Sequence, residues 1–103
     1  MTGMTGLPGE SGSGGAGAST ATVIVRYFAA ARAASGVDEE ALVVGAPATV
    51  ESILAAAVDA HGDELGRVLE RCSYLRNSVA VHGLSTALGD GDALDVLPPF
   101  AGG

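Results

Sequence analysis

The chain of 103 residues has no lysine, one cysteine and two histidines. Five arginines face twelve acidic residues, for a formal net charge of −7. A surface so poor in cations cannot neutralise a run of phosphates, which argues against nucleic-acid binding and against docking on anionic membranes. The acidic balance points instead to a protein partner with a basic docking face, where complementary charge mainly speeds encounter. A single thiol, Cys72, can close no internal disulfide and build no cysteine-cluster metal site. No apolar run approaches the roughly 18 residues that span a bilayer. The N-terminus lacks a basic segment followed by an apolar core, and Thr2 stands where myristoylation would need glycine. A cytoplasmic protein is the expectation.

Catalytic constellations are missing too. His61 and His82 stand apart, with no HExxH and no close Cys/His group, so neither a zinc site nor a bound cofactor is expected. No nucleophile-elbow motif organises the serines, and no GxxxxGK[ST] loop cradles phosphate. Cys72 falls on an apolar stripe, where packing rather than reactivity is the plain reading.

What is present is a core. Hydrophobic residues make up 48% of the chain, enough for one small folded domain. Residues 1–20, rich in Gly, Ser and Thr, bury too little to repay their ordering entropy and read as a mobile tail. The period-2 alternation of Val23, Val25 and Tyr27 with Ile24, Arg26 and Phe28 predicts a strand over Thr22–Phe28. Glu40–Val44 predicts a second, joined through an alanine-rich connection over Ala29–Ser35. Thr49 is placed to cap a helix whose stripe is Val50, Ile53, Leu54, Ala57 and Val58, with Gly62 as its stop. Asp63 is a candidate cap for a shorter helix carrying Leu65, Val68, Leu69 and Cys72. Ser78–Val81 reads as a third strand. A last strand, Ala93–Leu97, follows the Asp90-Gly91 turn, with Leu94 and Val96 facing inward and Asp95 and Leu97 outward. The order predicts an α+β fold, a mixed sheet of four to five strands on a main helix and a short second one. Placing the last strand beside the first would close a β-grasp over residues 21–98, leaving 99–103 as a flexible tail.

The end of the chain is its distinctive feature. Leu97 runs into Pro98, Pro99, Phe100 and Ala101, then Gly102 and Gly103. The prolines would hold the exit extended. The glycines, without Cβ atoms, could thread a narrow channel and present an unhindered carboxylate. A terminal Gly-Gly alone carries little weight in so glycine-rich a chain. Its position beyond an apolar strand and a double proline gives it more.

Two segments, Arg26-Tyr27-Phe28-Ala29-Ala30-Ala31-Arg32 and Leu97-Pro98-Pro99-Phe100-Ala101-Gly102-Gly103, carry a resemblance to the ubiquitin-like sulfur-carrier family, and within it to the small subunit of molybdopterin synthase. The resemblance covers residues 21–103. It implies a ubiquitin-like β-grasp and a carrier that is not catalytic alone. An E1-like adenylating enzyme would join the Gly103 carboxylate to AMP at the expense of ATP. A sulfurtransferase donor would then leave a Gly103 thiocarboxylate, which supplies sulfur to the molybdopterin precursor in the large synthase subunit. The resemblance also maps partner contacts to Phe28, Arg32, Leu97, Pro98, Pro99, Phe100 and Ala101. Phe28 and Leu97 fall on the outward side of their strands, so adjacent strands would form one apolar docking patch. The same terminal chemistry would serve a carrier for thiamine or cysteine synthesis, or a protein modifier. A plain interaction module would not need Gly103 at all.

Overall fold

β-branched side chains set the first strand. In the computed structural model, which describes residues 19–99, β1 spans Thr20–Tyr27. Its Thr, Val and Ile residues have stiff χ1 angles that suit a pleated backbone. Ala21, Val23, Val25 and Tyr27 are buried, as their alternation predicts. The tail expected over residues 1–20 ends earlier, since Thr20 already pairs opposite Gly45 in β1. Residues 1–18 and the expected working residues Phe100, Ala101, Gly102 and Gly103 lie outside the described residues.

The predicted connection over Ala29–Ser35 is a helix, α1. Alanine is the best helix former, and five of these seven residues are alanine. Gly36 ends the helix at φ 80°, a left-handed conformation that costs glycine little, and its N–H donates to the Arg32 carbonyl at 2.9 Å. The chain returns as β2 (Glu39–Gly45), antiparallel to β1 from Arg26 opposite Glu39 to Thr20 opposite Gly45.

After the two-residue β3 (Ala48–Thr49), helix α2 runs from Val50 to His61. Thr49 caps it in a reciprocal box. The Ser52 N–H donates to Thr49 Oγ1 at 3.1 Å, and the Thr49 N–H donates to Ser52 Oγ at 2.9 Å. Val50, Ile53, Leu54 and Ala57 are buried, while Val58 packs at the core's edge. Gly62 ends α2 and also occupies the N-cap of α3 (Asp63–Leu69), so Asp63 is the first helical residue rather than the cap. With Glu64 it places negative charge at that helix's positive end. Leu65 and Leu69 are buried, and Cys72 lies beyond the helix rather than on it.

The third strand differs most from expectation. The interior strand is β4 (Ser73–Arg76), while the Ser78–Val81 segment contributes only β5 (Val79–Ala80), with Val79 67% exposed. Asn77 and Ser78, at φ 47° and 73°, make the tight turn between them. β4 buries one large side chain, Tyr74, whose hydroxyl donates to the Leu69 carbonyl at 2.7 Å. One buried residue leaves no alternation to read. The short β6 (Ala87–Leu88) pairs with β3 in a separate two-stranded sheet, and β7 (Ala93–Leu97) follows the turn at Gly91.

The main sheet has the order β2-β1-β7-β4-β5. β7 lies parallel to β1 and antiparallel to β4, so the last strand sits at the sheet's centre beside the first. Ile53 and Leu65 from the helices join Val23, Val25, Leu94 and Val96 from the two central strands in one fully buried core. Each such aliphatic side chain contributes roughly 1.5–3 kcal/mol. This is the β-grasp architecture expected from the sequence.

Candidate docking face and tail exit

The parallel pairing of β1 and β7 builds the site. Its register sets Ile24 opposite Ala93, Arg26 opposite Asp95 and Tyr27 opposite Val96. One step further, Phe28 stands beside Leu97. The Phe28 N–H donates to the Val96 carbonyl at 3.3 Å, and its own carbonyl accepts from the Ala31 and Arg32 N–H groups at 3.0 and 3.3 Å. Phe28 is thus pinned on both sides as the N-cap residue of α1, while 42% of its surface stays exposed. Leu97 and Pro98 are half-buried and Pro99 is exposed. The apolar step that leads to the C-terminus therefore leaves the sheet next to an exposed aromatic ring.

Arg32 stands one helical turn on from Phe28, but its side chain reaches Asp38 at 3.7 Å rather than the patch. Asp95 departs from its expected outward exposure. It does face the outer side of the sheet, yet only 7% of it is exposed. Arg26 covers it through two hydrogen bonds, Nε to Oδ1 at 2.6 Å and Nη2 to Oδ2 at 2.9 Å. The side-by-side bonds are the strong geometry for a guanidinium and a carboxylate, and they hold the Arg26 guanidinium above its ordinary pKa. The candidate docking face therefore carries a neutralised pair beside Phe28 and Leu97. The alternation showed which side both residues face, but their pairing needed the strand register.

A second polar knot holds the start of β7. Asp92 accepts from the Gly89 N–H at 2.7 Å, from Asn77 Nδ2 at 3.0 Å and from Arg76 Nε at 2.8 Å. These donors, the Gly89 amide foremost, hold its carboxyl down at about 2. On the inner side, the Tyr27 hydroxyl and His61 Nε2 converge on one oxygen of Glu40, at 2.6 and 2.7 Å. Burial, and secondarily Glu40, push the Tyr27 hydroxyl above its ordinary range. Tyr27 and His61 are therefore structural neighbours joined through Glu40. Burial also raises the Cys72 thiol, which lies 3.3 Å from the Val68 carbonyl, and a raised thiol is a poor nucleophile. Among the described residues no group of three or more His, Cys, Asp or Glu side chains could hold a metal ion, and no helix is long and apolar enough to cross a membrane.

Comparison with known proteins gives this geometry a family. The sequence profile of the ThiS family matches residues 25–103. The molybdopterin synthase sulfur carrier subunit of Chlamydomonas reinhardtii is 36% identical over 80 residues, covering 77% of this chain and 95% of that protein. The fold is similar to SAMP1 of Haloferax volcanii, a small archaeal modifier protein, with 31% identity and a TM-score of 0.71 over 80% of this chain and 99% of that one. It is also similar to a chain in the complex of subunits 1 and 2 of the molybdopterin-converting factor from Helicobacter pylori. That match has 28% identity and a TM-score of 0.54, over 80% of this chain and 99% of the other. With the profile running from the end of β1 through α2 and β7 to the Gly-Gly terminus, the chain belongs to the ThiS family of ubiquitin-like sulfur carriers.

Proposed function

We propose that the protein is the sulfur carrier of molybdenum cofactor biosynthesis and works through the carboxylate of Gly103. One observation carries this reading: β7 lies in the centre of the sheet, parallel to β1, and hands the chain out through Leu97, Pro98 and Pro99 beside the exposed Phe28. Four residues remain beyond Pro99, a reach of up to about 14 Å when extended. A body docked through the Phe28 and Leu97 patch can therefore place Gly103 well inside a partner. In an E1-like enzyme, the carboxylate attacks the α-phosphorus of ATP, pyrophosphate leaves, and a mixed anhydride with AMP forms. Sulfide, released from the persulfide of a sulfurtransferase donor by a thiol reductant that leaves as the disulfide, then attacks the carbonyl carbon. The C–S bond forms, the C–O bond to AMP breaks, and AMP departs with the electron pair, leaving a thiocarboxylate. Adenylation is needed because a carboxylate oxygen is a poor leaving group and AMP a good one. Docked in the large synthase subunit, the thiocarboxylate sulfur bonds to a carbon of the molybdopterin precursor. Water then cleaves the acyl C–S bond, leaving sulfur on the precursor and a carboxylate on Gly103. The carrier is then a recycled co-substrate, and the catalytic groups are its partners'.

Intact mass after incubation with ATP, the adenylating enzyme and a sulfur donor tests this. The expected result is a gain equal to replacing one oxygen by sulfur, mapped to Gly103 and lost when Gly103 is deleted. No gain with a partner set that loads another carrier would overturn the reading. Likeness to an archaeal modifier protein supports a second use of the same carboxylate, attachment to lysines of other proteins. The chain has no lysine and could not build lysine-linked chains on itself. Isopeptide-linked adducts in cell extract would identify that use, and their absence would remove it.

A further inference from the structure

The five arginines are not equivalent. Arg26, Arg32 and Arg76 each pair with a carboxylate, Asp95, Asp38 and Asp92. Arg67 and Arg71 have no ion-pair partner among the described residues. In a chain of net charge −7, two guanidiniums without an ion-pair partner in one place stand out. Both line the same groove, about 520 Å³ in volume, between α1 and the end of α3. Arg67 lies in the last turn of α3. Arg71 follows in a turn fixed by its N–H to the Val68 carbonyl at 3.1 Å. Ala30 of α1 and the two exit prolines, Pro98 and Pro99, complete the wall.

That position decides what can cover the groove. Pro98 and Pro99 continue directly from Leu97, and Ala30 is two residues from Phe28, so the groove borders the docking patch without a break. Any partner that draws the tail in through Pro98 and Pro99 must close over Arg67 and Arg71. A uniformly basic partner surface would bury two guanidiniums against like charge, which is costly once water is excluded. Glu64 and Glu70 also line the groove but pair with neither arginine, so the charges here remain available to a partner.

We propose that this groove receives a carboxylate-bearing segment of the large synthase subunit, which Arg67 and Arg71 engage beside the tail's entry. The proposal rests on the carrier reading above and adds to it two arginines left free for a partner in a groove where they match Glu64 and Glu70 in number. The partner's face is basic opposite most of this chain and acidic at the groove. Planar guanidiniums suit this task because each can bind a carboxylate through two parallel hydrogen bonds. Such a contact fixes the rotation of the carrier about its own tail, which an apolar patch alone specifies poorly.

The sign of a charge change tests it. Full-length carrier and the large subunit from the same organism are titrated calorimetrically at fixed salt, comparing wild type, R67Q/R71Q and E64Q/E70Q. All four side chains are exposed, so folding is expected to survive, and circular dichroism verifies it. The expected result is binding weakened about tenfold in the arginine variant and unchanged or tightened in the glutamate variant. Equal or tighter binding by R67Q/R71Q would overturn the proposal and leave the carrier reading intact. Wild type that fails to bind the large subunit would overturn both.

Discussion

Single side chains close the sheet across long stretches of sequence, and Asp92 does so with the most partners. Its three donors come from the turn before it and from the far end of β4, so one carboxylate ties the start of β7 to the β4–β5 hairpin. The sign of its pH dependence follows from its depressed pKa. A carboxyl that titrates at about 2 in the fold and near its ordinary 3.8 when unfolded stabilises the fold fully above pH 4. That contribution is lost as pH falls through about 2. Replacing Asp92 with Asn should cost about 1 kcal/mol at pH 7, because bonds this near solvent are partly screened. The gap between variant and wild type should close between pH 4 and pH 2. Urea midpoints across that range measure it, and a gap independent of pH would show that Asp92 acts through shape rather than charge.

At the scale of elements, α2 depends most visibly on a local device. Thr49 and Ser52 satisfy each other's backbone N–H groups at the point where the chain enters the helix. Thr49→Ala should lower stability by about 1 kcal/mol, read as a fall in the thermal midpoint, while Thr49→Ser should restore most of it. Equal loss in both variants would assign the effect to the Thr methyl group. Helix α2 was legible in the sequence because cap, apolar spacing and the Gly62 stop agree. β1 was legible because burial alternates along it. β7 was legible because Leu94 and Val96 alternate with Asp95 in the sequence, although Asp95 is buried as well. The turn signals before β2 marked that strand. Helix α1 was not, since its alanines give no contrast between faces and it buries only Ala31 and Ser35. β4 was hidden for a related reason, holding one large buried side chain, while the more β-like Ser78–Val81 segment mostly faces solvent. At the docking face, Phe28 and Leu97 could be placed by alternation alone. The Arg26–Asp95 pair and the Arg67–Arg71 groove could not, because each depends on which elements become neighbours.

For the molecule as a whole, the proposed carrier function asks how a domain without a catalytic constellation among its described residues would direct chemistry at a distance. The central β7 answers it mechanically. Leu94 and Val96 anchor the strand in the core, Arg26 clamps Asp95 to β1, and the next residues pass out of the body. On the proposed carrier reading, a strand base held in the core and followed by only four residues beyond Pro99 would raise the effective concentration of Gly103 in a partner's site once the body has docked. On that reading docking would set efficiency, with the exposed Phe28 as its proposed anchor. Its backbone is held by three hydrogen bonds that do not involve the side chain, so Phe28→Asp should leave folding stability within about 0.5 kcal/mol of wild type. Binding to the large subunit should weaken by about 2 kcal/mol, as expected for an aromatic anchor replaced by a desolvated charge. Titration calorimetry separates the two effects. Unchanged binding with an intact fold would remove Phe28 from the interface and leave Leu97 and the exit prolines to hold the carrier in place.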